Sequence, residues 1–257
     1  MNIIVITGAS SGIGMEFALQ LDSHFEHIDE FWLIARNRDK MEEIAKGLRH
    51  ASRIFSMDIT HKDKLDVLEN AIVQEKAVVR MLVNCAGYGL MGSFAEQEAE
   101  AALGMIRLNC EALTDLTHRM IPHMRRGSRI IQMASSAAFM PQPYFAVYAA
   151  TKSYVLSFSR ALGEELKSAG IYVTNVCPGP VETPFFDIAE STGSTLIVKK
   201  YTIVSADRVV ALALRDSYYR RSLSVCSFPI KAFGLLAKEL PHDLLLKIIV
   251  WMKRKGL

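Results

Sequence analysis

The sequence has few cysteines, and neither its cysteines nor its histidines show the spacing of a metal site. The four cysteines stand far apart and form no CxxC pair; they are Cys85, Cys110, Cys177 and Cys226. The chain is therefore predicted to contain neither a zinc ribbon nor a disulfide scaffold. The seven histidines are scattered without HExxH spacing, so no metal is expected. Separated thiols of this kind fit a reducing compartment, and we expect a cytoplasmic protein.

A long apolar run is also missing, because no segment reaches the roughly 18 uncharged apolar residues that a membrane span needs. Residues 1–6 carry no basic region and lead directly into a glycine motif, which argues against a signal peptide. There is no internal repeat and no low-complexity linker. Half of the 257 residues are hydrophobic and 22% are charged, so we expect residues 1–257 to form one soluble domain.

Charge is unevenly distributed along the chain. Residues 1–198 carry a net charge of −5, whereas residues 199–257 carry +8. Such an excess can indicate an anionic partner, a membrane surface or a phosphate ligand, but it can also serve solubility alone. A nucleic-acid partner is not expected.

Residues 222–257 are a basic and apolar C-terminal extension. Pro241 opens a predicted helix that is apolar nearly all round and ends in the basic run 253–255. An apolar helix needs cover, so this one is predicted to pack on a partner subunit, to cap the substrate pocket or to lie on an anionic membrane surface. The first interpretation implies a homo-oligomer and the third a peripheral membrane association.

Short apolar runs alternate with helical patterns over the first two thirds of the chain. Buried strands are predicted at 3–6, 31–35, 53–57, 81–84, 129–133 and 172–177. Helices are predicted after the glycine motif and at about 39–50, 62–76, 96–123 and 146–168. This order predicts an α/β fold, a doubly wound parallel sheet (Rossmann fold) with a C-terminal helical extension. Residues 184–205, rich in Ser and Thr, are predicted to form a substrate lid.

Three glycines lie between the first predicted strand and its helix. Gly8, Gly12 and Gly14 have the spacing GxxxGxG, where the backbone must turn tightly and can approach a pyrophosphate at the helix N-terminus. Glycines also serve ordinary turns. Their place directly after an apolar strand nevertheless favours nucleotide binding.

The end of the second predicted strand indicates which nucleotide is bound. An acidic residue there binds the ribose hydroxyls of NAD, whereas an Arg accommodates a 2′-phosphate. Here Ala35 replaces the acid and Arg36 follows it, so the sequence predicts NADP(H). The alternative is that Arg36 and Arg38 are only a solvated pair in a loop.

Tyr148 and Lys152 are four residues apart at the start of a predicted helix, so their side chains lie one turn apart on the same face. A tyrosine is a poor acid or base at neutral pH. A nearby ammonium, together with an oxidised nicotinamide, would stabilise the phenolate and lower its pKa.

With these motifs in order, the sequence resembles the short-chain dehydrogenase/reductase family, NADP-dependent type, over about residues 3–190. Thr7–Gly14 is similar to the cofactor turn of the family, Asp58 to its adenine-contacting Asp, residues 84–87 to its NNAG segment and residues 178–183 to its nicotinamide loop. The resemblance implies a catalytic set of Asn109, Ser135, Tyr148 and Lys152. The cofactor-binding residues that it implies are Gly8, Ser10, Ser11, Gly12, Ile13, Gly14, Arg36, Asp58, Ile59, Asn84, Ala86, Gly87, Tyr148, Lys152, Pro178, Gly179, Val181 and Thr183.

Two positions depart from the family pattern or are ambiguous. Cys85 stands where the family usually has Asn. Ser135 and Ser136 are both candidates for the catalytic serine. Ser135 lies 13 residues before Tyr148, which is the common family spacing, so Ser135 is predicted.

The resemblance implies an NADP(H)-dependent oxidoreductase that acts on a carbonyl or a secondary alcohol. Tyr148 would protonate the developing alkoxide, Ser135 would hydrogen-bond it, Lys152 would hold the nicotinamide ribose and tune Tyr148, and Asn109 would hold a water for proton supply. Residues 88–94, 139–145 and 185–196 are predicted to shape the pocket, and their aromatic character favours a bulky or apolar substrate such as a steroid or lipid. The alternative is a catalytically idle NADP(H)-binding sensor or interaction protein.

Overall fold

The central strand, β1 (Asn2–Thr7), is apolar on both faces, and this property organises the fold around it. Its four residues 3–6 are completely buried. Ile3 and Val5 pack into one hydrophobic core, whereas Ile4 and Ile6 pack into another. Since successive side chains of a strand point to opposite faces, the sheet must be covered on both sides.

The structure is a computed structural model that describes residues 1–191 and 203–254. Within these residues, seven strands form one parallel sheet in the order β3-β2-β1-β4-β5-β6-β7. The strands that follow β1 are β2 (Glu30–Ala35), β3 (Ala51–Ser56), β4 (Val78–Asn84), β5 (Arg129–Met133), β6 (Tyr172–Val176) and β7 (Leu223–Ser224). The order reverses direction between β1 and β4, as in doubly wound sheets.

Helices connect the strands and cover both faces of the sheet. The α-helices are α1 (Gly12–His24), α2 (Arg38–Gly47), α3 (Lys62–Gln74), α4 (Ala99–Ile106), α5 (Leu113–Met120), α6 (Ala146–Leu166), α7 (Phe185–Ala189), α8 (Ala206–Tyr218), α9 (Phe228–Glu239) and α10 (His242–Arg254). A π-helical turn (Arg107–Ala112) joins α4 to α5, and 3-10 turns lie at Ile121–His123 and Ser136–Phe139. Over the described part of the chain, every helix is too short or too polar to cross a bilayer.

The predicted fold class is confirmed: one α/β domain with a parallel, doubly wound sheet and C-terminal helices. The helix predicted at 96–123 begins at Ala99 and contains the π turn. The tail helix is present as α10. Of the predicted lid, residues 185–189 form α7, whereas residues 192–202 lie outside the described residues.

A buried carboxylate fastens the end of α1 to the loop before β3. Asp22 accepts hydrogen bonds from the backbone amides of Arg49 and His50, both at 2.9 Å, and contacts the His50 Nδ1 atom at 2.7 Å. Burial raises the pKa of Asp22, but these hydrogen bonds outweigh it and hold the pKa below its usual value of 3.8.

We expect Asp22→Asn to lower the free energy of unfolding by about 2 kcal/mol at neutral pH, because the amide cannot accept all of these hydrogen bonds. A lowered pKa in the folded protein stabilises it above pH 3.8 and ceases to do so as the pH falls through the folded-state pKa. The difference from wild type should therefore shrink in strong acid. Urea unfolding across a pH series would measure it, with Glu43→Gln on the exposed face of α2 as the control. A difference that stays constant down to pH values well below 3.8 would contradict this account.

Candidate active site

A cleft of about 970 Å³ opens at the carboxyl ends of the strands, where the strand order reverses between β1 and β4. This is the usual place for a ligand in an open α/β sheet. The structure brings to this cleft every predicted site residue except Asn84 and Asn109. The cleft has a glycine-lined end near α1 and an aromatic end near α7.

The glycine turn forms the floor of the first end. Gly8 and Gly12 have φ angles of 66° and 54°, in the left-handed region that favours glycine. A Cβ atom on Gly8 would lie 2.9 Å from the Ala86 backbone nitrogen. The turn can therefore approach the residues after β4 this closely only because residue 8 has no side chain. Thr7 Oγ1 accepts hydrogen bonds from the amides of Cys85 and Ala86 at 3.1 Å, which fastens the same two strand ends.

The N-terminus of α1 suits an anion. The Ser11 side chain makes no capping hydrogen bond, and the first turn of α1 contains no acidic residue. Ser10, Ser11 and Ile13 line the cleft beside it. The positive end of the helix and its amides therefore face a space that a pyrophosphate can fill, so the residues present fit a dinucleotide.

The two arginines after β2 have different surroundings. Arg38 points along α2 and pairs with Glu42 at 2.7 Å, whereas Arg36 lines the cleft. Among the described residues, Arg36 makes no ion pair within 4.0 Å, and its side chain is exposed. Arg36 is therefore available to a ligand in the cleft, unlike Arg38.

Asp58 lies beside Arg36 in the same end of the cleft. Its carboxylate accepts hydrogen bonds from the Thr60 amide at 2.9 Å and the Thr60 hydroxyl at 2.7 Å. Burial raises the pKa of Asp58, but these hydrogen bonds and the charge of Arg36 hold it below its usual range. Asp58 is therefore a fixed carboxylate whose orientation is set by Thr60.

Asn84 does not face the cleft. Its side chain is buried beneath the floor and donates to Thr117 Oγ1 and Gln132 Oε1, both at 3.0 Å. It therefore ties β4 to α5 and β5.

Tyr148 is buried in the aromatic end of the cleft, with 7% of its surface exposed. Its ring stacks on Phe145, with centroids 4.3 Å apart, and is tilted against Phe185 at 5.4 Å. Burial raises the pKa of Tyr148 to about 12, and a hydrogen bond with the Ser135 side chain opposes that rise. In the protein without a cofactor, the pKa of Tyr148 is thus raised and not lowered, because desolvation of the phenolate dominates.

The two candidate serines make different contacts. Ser135 hydrogen-bonds Tyr148, and its Oγ also accepts from the Ala137 amide at 3.1 Å at the start of the 3-10 turn. The backbone amide of Ser136 donates a hydrogen bond to the Pro178 carbonyl oxygen at 2.8 Å. Both line the cleft, but Ser135 is the one whose hydroxyl meets Tyr148.

Lys152 lies one turn after Tyr148 on α6 and is almost completely buried. Its Nζ donates to the Met133 carbonyl oxygen at 2.7 Å and lies 5.7 Å from the centre of the Tyr148 ring. Burial lowers the pKa of Lys152 to about 8. Because this pKa lies near neutrality, small changes in the local charge can change the protonation state of Lys152.

Asn109 sits in the π-helical turn and is fully buried. Its Nδ2 donates to the Tyr88 carbonyl at 2.9 Å and to Thr151 Oγ1 at 3.0 Å, and its Oδ1 accepts from the Tyr88 amide at 3.1 Å. Both amide hydrogens are therefore used within the protein. The side chain holds the loop after β4 against α6, which is a positioning role, and π turns of this kind are frequent at functional sites.

Gly87 separates Asn109 from Lys152. A Cβ atom at Gly87 would lie 2.9 Å from Asn109 Oδ1 and 3.4 Å from Lys152 Nζ. The missing side chain thus leaves a small space that both polar groups face.

The far end of the cleft has apolar walls. Its hydrophobic cluster includes Met91, Phe145, Phe185 and Phe186, and Ile188 adds to the lining. Phe94 and Phe139 are aromatic residues of the predicted pocket segments that do not line the cleft: Phe94 is 66% exposed, and Phe139 packs on Phe233. The cleft residues that sequence reasoning did not select include Glu100 and Arg107.

Glu100 and Arg107 form an ion pair and are seven residues apart, which is the spacing of one helix face. The seven-residue spacing is visible in the sequence and indicates a shared helix face. It does not tell whether that face lines a cleft or is exposed to solvent. In the described ranges, no three His, Cys, Asp or Glu side chains lie close enough together to hold a metal ion.

The chain matches the short chain dehydrogenase family over residues 2–192. It is similar to an uncharacterized oxidoreductase of Staphylococcus epidermidis, with 32% identity over 184 residues that cover 71% of this chain and 79% of that protein. It is also similar to the 17-beta-hydroxysteroid dehydrogenase type 3 of Mus musculus, with 30% identity over 190 residues, or 70% of this chain and 60% of that protein.

Among solved structures, a short-chain dehydrogenase from Sphingobium yanoikuyae in complex with NADPH superposes with a TM-score of 0.78. Its sequence is 27% identical, and the alignment covers 94% of this chain and 97% of that one.

We expect Gly87→Ala to lower the free energy of unfolding by about 1–3 kcal/mol, since the new methyl group must displace Asn109 or Lys152. Gly47→Ala, at the end of α2, is the matched control because a Cβ there meets no atom within 4 Å. It should leave stability unchanged or raise it by up to about 1 kcal/mol. Equal effects of the two substitutions in urea unfolding would refute the close contact at Gly87.

Proposed function

The chain belongs to the short-chain dehydrogenase family, and from this premise we propose that it is an NADP(H)-dependent oxidoreductase that interconverts a bulky, apolar ketone and its secondary alcohol. An oxidoreductase with a nicotinamide cofactor follows from the family itself. The observation that carries the proposal is the presence of Ser135, Tyr148 and Lys152 together in the lining of one cleft that has a glycine-lined and an aromatic end.

The glycine turn, the N-terminus of α1 and Asp58 would hold the dinucleotide, and Lys152 and residues 178–183 would hold its nicotinamide end. When bound, the reduced cofactor supplies a hydride to the carbonyl carbon. The task left to the protein is to hold the carbonyl and to deliver a proton to its oxygen.

Tyr148 delivers that proton. A pKa of about 12 keeps the phenol protonated throughout the neutral range, which suits a general acid in the reductive direction. Ser135, already in contact with the Tyr148 hydroxyl, donates a hydrogen bond to the same substrate oxygen as negative charge develops on it.

Lys152 stabilises the phenolate that remains. With a pKa of about 8 it is mostly protonated at neutral pH, and its ammonium lies close enough to attract the new negative charge. Asn109 acts as a positioning residue, because it fixes α6 against the loop that carries Gly87. The space at Gly87 is where a proton path from Lys152 would begin.

The preference for NADP(H) rests on Arg36. Its guanidinium is exposed at the cleft, and the residue before it, Ala35, supplies no carboxylate to bind ribose hydroxyls or to repel a phosphate. The similar Sphingobium enzyme binds NADPH, which agrees with this preference.

The substrate class rests on the aromatic end of the cleft. Phe145, Phe185 and Phe186 offer large apolar surfaces next to the Tyr148 hydroxyl, so a bulky apolar carbonyl compound would bury more surface there than a small polar one. The similarity to a hydroxysteroid dehydrogenase points the same way.

Arg36→Asp should reverse the cofactor preference, because the carboxylate repels a 2′-phosphate and can bind the ribose hydroxyls of NADH. We expect the ratio of kcat/KM for NADPH to that for NADH to fall by about 100-fold or more, in line with the loss of charge-assisted hydrogen bonds. Arg38→Asp is the matched control, since Arg38 pairs with Glu42 and should leave the ratio within about twofold of wild type. An unchanged ratio in Arg36→Asp would remove Arg36 from cofactor selection.

Tyr148→Phe should lower kcat by about 10³-fold while NADPH still binds, because only the proton donor is lost. The measurement is NADPH oxidation followed by absorbance against ketosteroids, 3-oxoacyl thioesters, diketones and aldehydes. Ser135→Ala should also lower kcat, by about 100-fold, whereas Ser136→Ala should not. NADPH binding without turnover of any of these substrates would favour the idle, binding-only protein, and full turnover by Tyr148→Phe would exclude the mechanism.

A further inference from the structure

The family match ends at residue 192, and the helices α8, α9 and α10 follow it in the chain. One side of α9 is packed against the catalytic domain. Ile230 and Ala237 are buried, Phe233 contacts Phe139, and a Cβ atom on Gly234 would lie 3.0 Å from the Phe139 ring. Phe139 ends the 3-10 turn that follows Ser135, so α9 is anchored next to the active site.

The opposite side of α9 is apolar and uncovered. Phe228, Leu235 and Leu236 have 82%, 66% and 55% of their surface exposed, and no residue in the described ranges covers them. Phe228 and Leu235 are seven residues apart and therefore share one face. We call these three residues the α9 apolar face. Leu244, at the start of α10, is a further apolar side chain with 50% of its surface exposed.

Lysines accompany this face. Lys231 lies three residues after Phe228, and Lys238 three residues after Leu235, so both stand one turn along the helix beside the apolar side chains, and both are exposed. Glu239 is the acidic residue of α9, which leaves the helix with a net charge of +1. Lys247 adds a further exposed cation on α10.

We propose that the α9 apolar face docks on the surface of an anionic phospholipid bilayer, with its aromatic and leucine side chains among the acyl chains and its lysines at the headgroups. Apolar side chains flanked by lysines are typical of helices that lie in the interface of a membrane. Anionic headgroups complement the lysines, whereas a second copy of the chain would bring the same excess of positive charge against it.

Docking in this way would hold the active site at the membrane. Because α9 packs on the turn that follows Ser135, a protein attached through its apolar face would keep the cleft close to the lipid phase, where apolar carbonyl compounds dissolve. The docking itself does not depend on the proposed reaction and can be tested without it.

The test is cosedimentation of the full chain with vesicles of phosphatidylcholine alone or with about 30% phosphatidylserine. We expect binding to the anionic vesicles that weakens as salt is raised. Phe228→Ser with Leu235→Ser should lower the partition coefficient at least tenfold. Lys231→Gln and Lys238→Gln should each lower it about fivefold.

Val67→Ser with Val73→Ser is the matched control, because these valines of α3 are 55% and 57% exposed and stand away from α9. The control pair should bind as wild type does, and thermal unfolding and NADPH binding should show that every variant is folded. Two results would overturn the proposal: no binding of wild type to anionic vesicles, or equal binding by wild type and the α9 variants. A loss of self-association in the α9 variants with unchanged vesicle binding would assign the face to a second copy instead.

Discussion

The burial of β1 on both faces is the constraint on which the rest of the structure depends. A strand whose central residues are all apolar, as residues 3–6 of β1 are, can satisfy its backbone only between two other strands, and these side chains only between two layers of helices. Parallel neighbours then require crossover helices, and these bring every carboxyl end of the sheet to one edge. The cleft is therefore a consequence of the core: Thr7, the glycine turn, Asp58 and Ser135 reach one place because each follows, directly or by a residue or two, the end of a strand.

Burial of Tyr148 and Lys152 sets the acid–base chemistry of the site. Desolvation disfavours the charged form of each group, so it raises the pKa of Tyr148 and lowers that of Lys152. The two values, about 12 and about 8, leave a neutral phenol beside a cation at neutral pH. This is the protonation state that reduction of a carbonyl requires, since the proton is available and the charge that stabilises the product phenolate is already in place. In the proposed mechanism, the lysine therefore contributes by stabilising the phenolate of Tyr148 once the proton has moved.

The sequence was sufficient for the parts of the fold and site that local pattern determines. Apolar runs located six strands, and every predicted site residue except Asn84 and Asn109 lines the cleft. The two-residue strand β7 has no pattern to detect, and α8 was not predicted. Asn84 shows a different limit, because its position in a motif says nothing about which way its side chain points. On the strand it alternates with Val83, and its side chain binds Thr117 of α5 and Gln132 of the neighbouring strand β5. Glu100 and Arg107 became cleft residues only through the packing of α4, which is tertiary information.

The charge excess of the C-terminal part is not one surface, although the sequence alone suggested a single basic tail. Arg220 stacks over Tyr172 at 4.6 Å, at the amino end of β6, and Arg221 pairs with Asp216 at 2.8 Å. These arginines belong to the end of the sheet opposite the cleft and are engaged by aromatic and acidic partners there. The lysines of α9 and α10, in contrast, lie on helices that come later in the chain than these arginines, beside exposed apolar side chains. Since an arginine held by a ring or a carboxylate offers little to a distant surface, the proposed docking on an anionic bilayer uses Lys231, Lys238 and Lys247, and the apolar face that they accompany.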